Sequence, residues 1–273
     1  MRIDSLGFRT DLMLLSLHGS EVEDRGDHLV VRSPSNPGFW WGNFLLLREP
    51  PAPGACGRWE RAFASEFPAA GYSAFGVDGT CGNVAGYQEF TAAGYEVEAS
   101  AVMTATAVHE PAHPNREATY RALDLTDAGD RESAIALRLA NSPHREPTGH
   151  RQFLGRSMDS MAALQEAGTG AWFGAFLAER MVSGMGLFSD GSGLARFQSV
   201  DTHPDFRGRG LAETLVHHVS TYGFTTLAAT TLVMVADPDY HAIRIYRSLG
   251  FVSTELQVQL EREPLAGAPA SIR

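Results

Sequence analysis

The stretch TLVMVAD, residues Thr231–Asp237, is an almost unbroken apolar run. With no polar alternation, it suits a strand buried on both faces. Upstream of it, Leu211, Leu215, Val216 and Val219 recur at helical spacing, and Gly223 ends that pattern. Downstream, YHAIRIYRSLG reads as a second helix. A buried strand between two amphipathic helices predicts an α/β protein, with a mixed sheet flanked by helices.

The rest of the chain supplies strands and helices in alternation. DLMLLSL, DHLVVRS and FWWGNFLLL are expected as strands, the last two separated by the turn-forming SPSNPG. On that pattern Trp40 and Trp41 point to opposite faces of a strand, one of them into the core. GRWERAFASEF is expected as a helix and YSAFGV as a strand. VAGYQEFTAAG is expected as a helix closed by Gly94, and YEVEASAVMTATAV as a long strand. HEPAHPNRE, with two prolines among polar residues, marks a domain boundary. Beyond it come a strand (TYRALDLTD), two helices (DRESAIALRLAN and GHRQFLGRSMDSMAALQEAG) and three consecutive strands from Ala171 to Thr202. FVSTELQVQLE is the last strand, and the tail PLAGAPASIR is expected to be loose. Phe90-x-x-x-Gly94-Tyr95 and Tyr246-x-x-x-Gly250-Phe251 each end a helix and precede a long strand. The echo predicts two copies of one α/β unit.

Composition removes several functions. The 273 residues suit about two domains. LMLLSLHG near the start is far short of a membrane span, and Asp4 and Asp11 sit where a signal peptide carries positive charge. A cytoplasmic protein with no membrane partner is expected. The net charge of −10 opposes binding of phosphate backbones, so no nucleic-acid partner is expected. The chain has no lysine: all 22 of its basic side chains are arginine. Walker-type nucleotide sites and Schiff-base chemistry are thereby excluded in their usual forms. The two cysteines, Cys56 and Cys81, form no CxxC pair. HEPAH, His109–His113, matches HExxH, but Pro111 and Pro114 break the helix that zinc chelation at i and i+4 requires. The segment reads as a linker, and no metal is expected. His217 and His218 point about 100° apart on their helix and read as surface or edge residues. GxSxG is absent, leaving no candidate for the usual nucleophile elbow.

HPDFRGRGLAETLVHH, His203–His218, joins a strand to a helix through Gly208 and Gly210. At a helix N-terminus the first amides lack intrahelical partners and the helix dipole is positive. Glycine admits an anion close to such a backbone. On these features alone the stretch is either an anion site or a plain turn.

Arg207-x-x-Gly210-x-Ala212 resembles the Q/R-x-x-G-x-G/A signature of the GNAT N-acetyltransferase superfamily. DPDYHAIRIYRSLGF resembles that family's N-x-x-A-x-x-x-Y-x-x-x-G-F element, with Asp239, Ala242, Tyr246, Gly250 and Phe251 at its positions. The two motifs stand in the family's order, and the likeness covers roughly Thr119–Glu261. It implies two GNAT-like units in tandem: a degenerate one at 1–110 and a catalytic one at 117–265. It also implies acetyl transfer from acetyl-CoA, a cosubstrate, to a primary amine of a small molecule or peptide, without metal. Gly208, Arg209, Gly210, Leu211, Ala212 and Glu213 would hold the CoA pyrophosphate through backbone amides, with Arg207 opening the signature. The strand ending at Thr202 would splay from its neighbour. The Val200 amide would polarise the thioester carbonyl and the Thr202 amide would hold the pantetheine arm. Tyr246 would protonate the departing thiolate; the bland alternative is a core tyrosine with its hydroxyl satisfied. Asp239 replaces the family's Asn: it still caps a helix, but an ionised carboxylate donates nothing to a cofactor. Asp201 and His203 lie near the motif, but neither stands out as a general base. Phe90 at the tyrosine position of the first half gives no proton. The rival readings are a non-catalytic acyl-CoA-binding sensor and, against the acidic charge, a nucleic-acid binder. A homodimer is compatible with everything above.

Overall fold

The computed structural model describes residues 2–142, 147–240 and 242–263; the expected loose tail, 264–273, lies outside the described residues. The chain forms two compact units. Unit 1 is Met1–Val102 with Val235–Pro238 and Ser253–Arg273, and unit 2 is Met103–Met234 with Asp239–Val252.

The first elements are α1 (Leu6–Leu17), β1 (Glu21–Asp24), β2 (His28–Arg32), β3 (Phe44–Leu47), α2 (Cys56–Glu66), β4 (Ser73–Val77), α3 (Gln88–Ala92) and β5 (Glu96–Ala105). The second half runs β6 (Thr119–Ala122), α4 (Ala128–Ala140), α5 (Pro147–Glu166), β7 (Gly170–Leu177), β8 (Arg180–Phe188), β9 (Leu194–Thr202), α6 (Leu211–Thr225), β10 (Thr231–Ala236), α7 (Ile243–Ser248) and β11 (Val252–Arg262). Helices and a mixed sheet in both halves give the expected α/β class.

In unit 1 the strand order is β1-β2-β3-β4-β11. β1, β2 and β3 pair antiparallel in sequence, β3 pairs parallel with β4, and β4 pairs antiparallel with β11. Val30, Val31, Leu45, Leu46, Leu47 and Phe75 form the heart of its core. DLMLLSL is not a strand but the end of α1. A run of apolar residues does not by itself distinguish a strand from a buried helix. The helix start settles it here, because Ser5 accepts from the Phe8 amide and the Asp78 carboxylate accepts from the amides of Asp4 and Ser5. Trp40 and Trp41 do not alternate on a strand either; they lie in a 3-10 turn at Trp40–Gly42. Trp40 is buried on Tyr72 with ring centroids 4.8 Å apart, and Trp41 donates its indole N–H to Glu261 at 3.1 Å.

In unit 2 the order is β10-β9-β8-β7-β6. β6 through β9 pair antiparallel in sequence, and β9 pairs parallel with β10. Leu232, Val233 and Met234 of β10 are buried, as their unbroken run demands. Helix α4 starts at Asp127, whose carboxylate accepts from the amides of Gly129 and Asp130. Helix α5 buries the stripe His150, Leu154, Met158, Met161 and Leu164.

The two halves repeat one another. β1-β2-β3-α2-β4-α3 has the strand directions of β7-β8-β9-α6-β10-α7, with a parallel βαβ crossover in each. The echo seen in sequence has one hydrogen-bonding pattern in both places. Tyr95 N–H donates to Phe90 O at 2.9 Å, and Phe251 N–H donates to Tyr246 O at 3.0 Å. Gly94 and Gly250 supply the left-handed residue between them, at φ +86° and +100°.

The units do not divide in the proline-rich linker. The division falls inside β5, between Val102 and Met103, and β11 from Ser253 onward belongs to unit 1. A sequence pattern marks a strand but not the partner whose edge it completes.

Candidate active site

The site lies within unit 2, where β9 passes into α6 and α7 follows. The β9–β10 ladder covers Leu194–Arg196 opposite Thr231–Val233, yet β9 continues to Thr202. Past Arg196 its β10-facing edge has left that ladder, which is the splay expected of this strand. A bulge sits in the same stretch. Gly184 of β8 pairs with Asp201 and Gly186 with Gln198, so Ser199 and Val200 together face Met185. Ser199 takes φ +48°, a left-handed conformation rare for a residue with a Cβ. The bulge re-aims Val200, Asp201 and Thr202.

The arginine-glycine turn is a bare helix N-terminus. Gly210 is the N-cap of α6, in the left-handed conformation at φ +70°, and no side chain caps the helix among the described residues. The first intrahelical bond is Thr214 N–H to Gly210 O at 3.0 Å, so the amides of Leu211, Ala212 and Glu213 precede the ladder. This arrangement fits a pyrophosphate. The reason for glycine at 210 is not the expected one. A Cβ there would stand 3.0 Å from His113 O, against the linker, whereas one at Gly208 would meet nothing within 4 Å. Gly210 is bare so that residues 113–115 can pack on the turn. Gly210→Asp is therefore expected to displace the turn by its bulk as well as to repel an anion there by its charge. Gly208→Ala is expected to weaken binding only by about the 1–2 kcal/mol of a left-handed alanine. Isothermal titration of both variants with acetyl-CoA checks the ranking.

The arginines of the turn point elsewhere. Arg207 donates to Thr202 O at 3.3 Å and to Asn141 Oδ1 at 2.8 Å, pinning the end of β9 to the end of α4. Arg209 is exposed and paired with Glu117 at 2.5 Å. Glu213 accepts from the Ser248 hydroxyl at 2.6 Å, tying α6 to α7.

Tyr246 sits on the buried face of α7 with Ile243 and Leu249, and is 5% exposed. Burial, with smaller contributions from Tyr240 and Asp201, pushes its phenol up to about 12. Its hydroxyl has no hydrogen-bond partner among the described residues, unlike the satisfied core tyrosine of the bland reading. Asp239 does not cap α7: the helix starts later, at Ile243, with Ala242 as N-cap, and Asp239 lies in the exposed turn before it.

Two acidic or basic groups near the motif separate clearly. Asp201 is partly buried, and burial raises its carboxyl to about 6 against the opposing pull of Arg138 and Arg207. Arg138 approaches it at 3.8 Å from α4. His203 instead receives a hydrogen bond from Arg180 at Nε2, 2.8 Å away. That occupies the lone pair a base would use. Sequence did not single out Asp201, because its perturbation comes from α4 and the bulge, neither of which a linear motif displays.

Unit 1 has the same β–turn–α–β order but not the same turn. Between β3 and α2 stand Pro50, Pro51 and Pro53, which have no amide hydrogen. The Gly54 amide is taken by the Glu89 carboxylate, and the Ala55 amide by Ala52 O at 3.1 Å. Phe90 holds the tyrosine position and is buried.

No helix among the described residues is long and apolar enough to cross a membrane. Residues 137–251 match the acetyltransferase (GNAT) family. No curated protein matches the sequence. Among solved structures, a GCN5-related N-acetyltransferase from Kribbella flavida is similar at TM-score 0.66 and 16% identity, with 96% of this chain and 97% of that one covered. A GCN5-related N-acetyltransferase from Sphaerobacter thermophilus is similar at TM-score 0.58 and 18% identity, covering 92% and 85%. A tandem GNAT protein from the clavulanic acid biosynthesis pathway is similar at TM-score 0.55 and 14% identity, covering 97% and 95%. The motif-bearing segment is thus similar to the GNAT family, and the chain as a whole shares the fold of these solved structures, the tandem GNAT protein included.

Proposed function

We propose that the protein is an N-acetyltransferase that moves an acetyl group from acetyl-CoA to a primary amine of a small molecule or peptide. The observation that carries this reading is the conjunction, within unit 2, of an uncapped helix N-terminus, a splayed and bulged strand, and a buried tyrosine. The amides of Leu211–Glu213, with the preceding turn from Gly208, would hold the pyrophosphate. Thr202 would hold the pantetheine arm and Asp239 would lie beside the cofactor. Acetyl-CoA supplies a thioester whose carbonyl is open to attack by an amine. The Val200 amide, on the bulge, would donate to oxygen as charge gathers there. Asp201 accepts the proton that the amine nitrogen gives up, and Tyr246 delivers its Oη proton to the sulfur that leaves. Metal has no part in these roles.

The catalytic half is 117–265 and the degenerate half is 1–110, in which prolines and the Glu89 carboxylate fill the place of the phosphate turn. One acetyl-CoA per chain is the expected stoichiometry in calorimetry. Incubation with acetyl-CoA and a panel of small primary amines and peptides is expected to release free thiol with at least one acceptor. Tight binding without thiol release across the panel would make the protein an acyl-CoA sensor instead.

A further inference from the structure

The segment His109–Glu117, which matched HExxH in sequence, is not helical, and its histidines do not stack at i and i+4. It runs along unit 2 between the two cofactor motifs. At one end His109 N–H donates to Leu249 O at 2.9 Å, and the His109 ring lies where a Cβ on Gly250 would stand, 3.1 Å away. Leu249 and Gly250 close the helix that carries Tyr246. At the other end the segment grips the arginine-glycine turn. Asn115 Nδ2 donates to Arg209 O at 2.9 Å, and Asn115 N–H donates to Thr214 Oγ1 at 2.9 Å. The Asn115 Oδ1 accepts from the amides of Glu117 and Ala118, at 3.1 and 3.0 Å. The Tyr120 hydroxyl donates to Asn115 O at 3.1 Å.

We infer that this strap is a working part of the acetyl-CoA site, with Asn115 as the positioning residue of the phosphate turn. The inference rests on the reading of that turn as the acetyl-CoA site. Its physics follows from the turn itself. A left-handed Gly210 followed by three unpaired amides has nothing within the helix to hold it in one conformation. Asn115 holds it from both sides of Gly210, through the carbonyl of Arg209 and the hydroxyl of Thr214. The Thr214 bond comes from its backbone N–H and the Arg209 bond from its side-chain amide, which donates and accepts at once. One end of Asn115 shapes its own loop through Oδ1, while the other reaches the turn through Nδ2. The amides of Leu211, Ala212 and Glu213 are then fixed before the anion arrives, which removes an ordering cost from binding.

Two substitutions separate the roles of the two ends. Asn115→Ala removes both. Asn115→Asp keeps the acceptor that shapes the loop and loses the donor to Arg209 O. If Asn115 merely folded its own loop, the Asp variant would bind as the wild type once high salt screens its added charge.

The test is titration calorimetry of the full chain with acetyl-CoA and with free CoA, alongside steady-state kinetics of thiol release. Both variants are expected to raise the Kd for acetyl-CoA by about 10-fold, roughly the range for one or two lost hydrogen bonds. KM for acetyl-CoA is expected to rise in step, with kcat held within about twofold, as for lost uniform binding. Wild-type affinity in Asn115→Asp at high salt would overturn the inference, even with Asn115→Ala impaired. A wild-type chain that binds neither acetyl-CoA nor CoA would instead overturn the functional reading, and this inference with it.

Discussion

Tyr246→Phe is expected to lower kcat by about 10²–10⁴-fold, the usual contribution of a positioned acid or base. The change removes one oxygen and leaves the ring, so the packing of Tyr246 against Phe251, with centroids 6.4 Å apart, is retained. The hydroxyl has no partner among the described residues to strand when it is removed. Acetyl-CoA affinity is therefore expected to stay near that of the wild type. Burial holds the phenol up to about 12, so it carries its proton throughout the neutral range and is poised to donate rather than accept. Unchanged turnover in the Phe variant would remove Tyr246 from the chemistry and return it to the core.

Asp201→Asn is the second large effect, about 10²–10⁴-fold in kcat/KM at neutral pH. Its signature is a pH profile. The Asp201 carboxyl is raised to about 6, chiefly by burial, so below that pH it is protonated and accepts nothing. Wild-type kcat/KM is expected to rise through about pH 6 and then level, while the Asn variant loses that limb. An unaltered limb in the variant would assign it to another group. Stability should move the opposite way. A carboxyl whose folded pKa lies above its unfolded value near 3.9 stabilises the fold when protonated, and that contribution is lost as the pH rises to about 6. Asn keeps the neutral state at every pH. The variant is thus expected to melt above the wild type at pH 8, and a lower Tm there would contradict the assignment. The groups facing this carboxylate are Arg138, Arg207 and Tyr246; the arginines oppose the shift without cancelling it.

Much of the site was legible because its parts are local. A strand, a glycine turn and a helix N-terminus occupy adjacent positions, so Arg207 to Glu213 announce them within one short stretch. Tyr246, Gly250 and Phe251 are local in the same way: one helix turn and its left-handed closure fix them together. Where distant segments contribute, the sequence was silent or misleading. Asp201 looks like any strand aspartate until α4 brings Arg138 to 3.8 Å and covers it. Gly210 looks like a concession to the ligand until His113 O is seen 3.0 Å from where its Cβ would be. Arg207 looks like a phosphate ligand until Thr202 O and Asn141 are found taking its donors.

By itself, the sequence determined the α/β class, the order of elements around TLVMVAD, the strand-to-helix turn and the repeated helix closures. Each depends on periodicity, glycine conformation or a missing amide hydrogen, which are properties of neighbouring residues. Only the tertiary structure decided that DLMLLSL is a helix, that β11 completes the sheet of unit 1, and that HEPAHPNRE packs on the arginine-glycine turn. Those outcomes depend on which carboxylate reaches a helix start, which strand edge stands open, and which carbonyl lies against a glycine. Such partners are set by packing between residues far apart in the chain, and no local pattern encodes them.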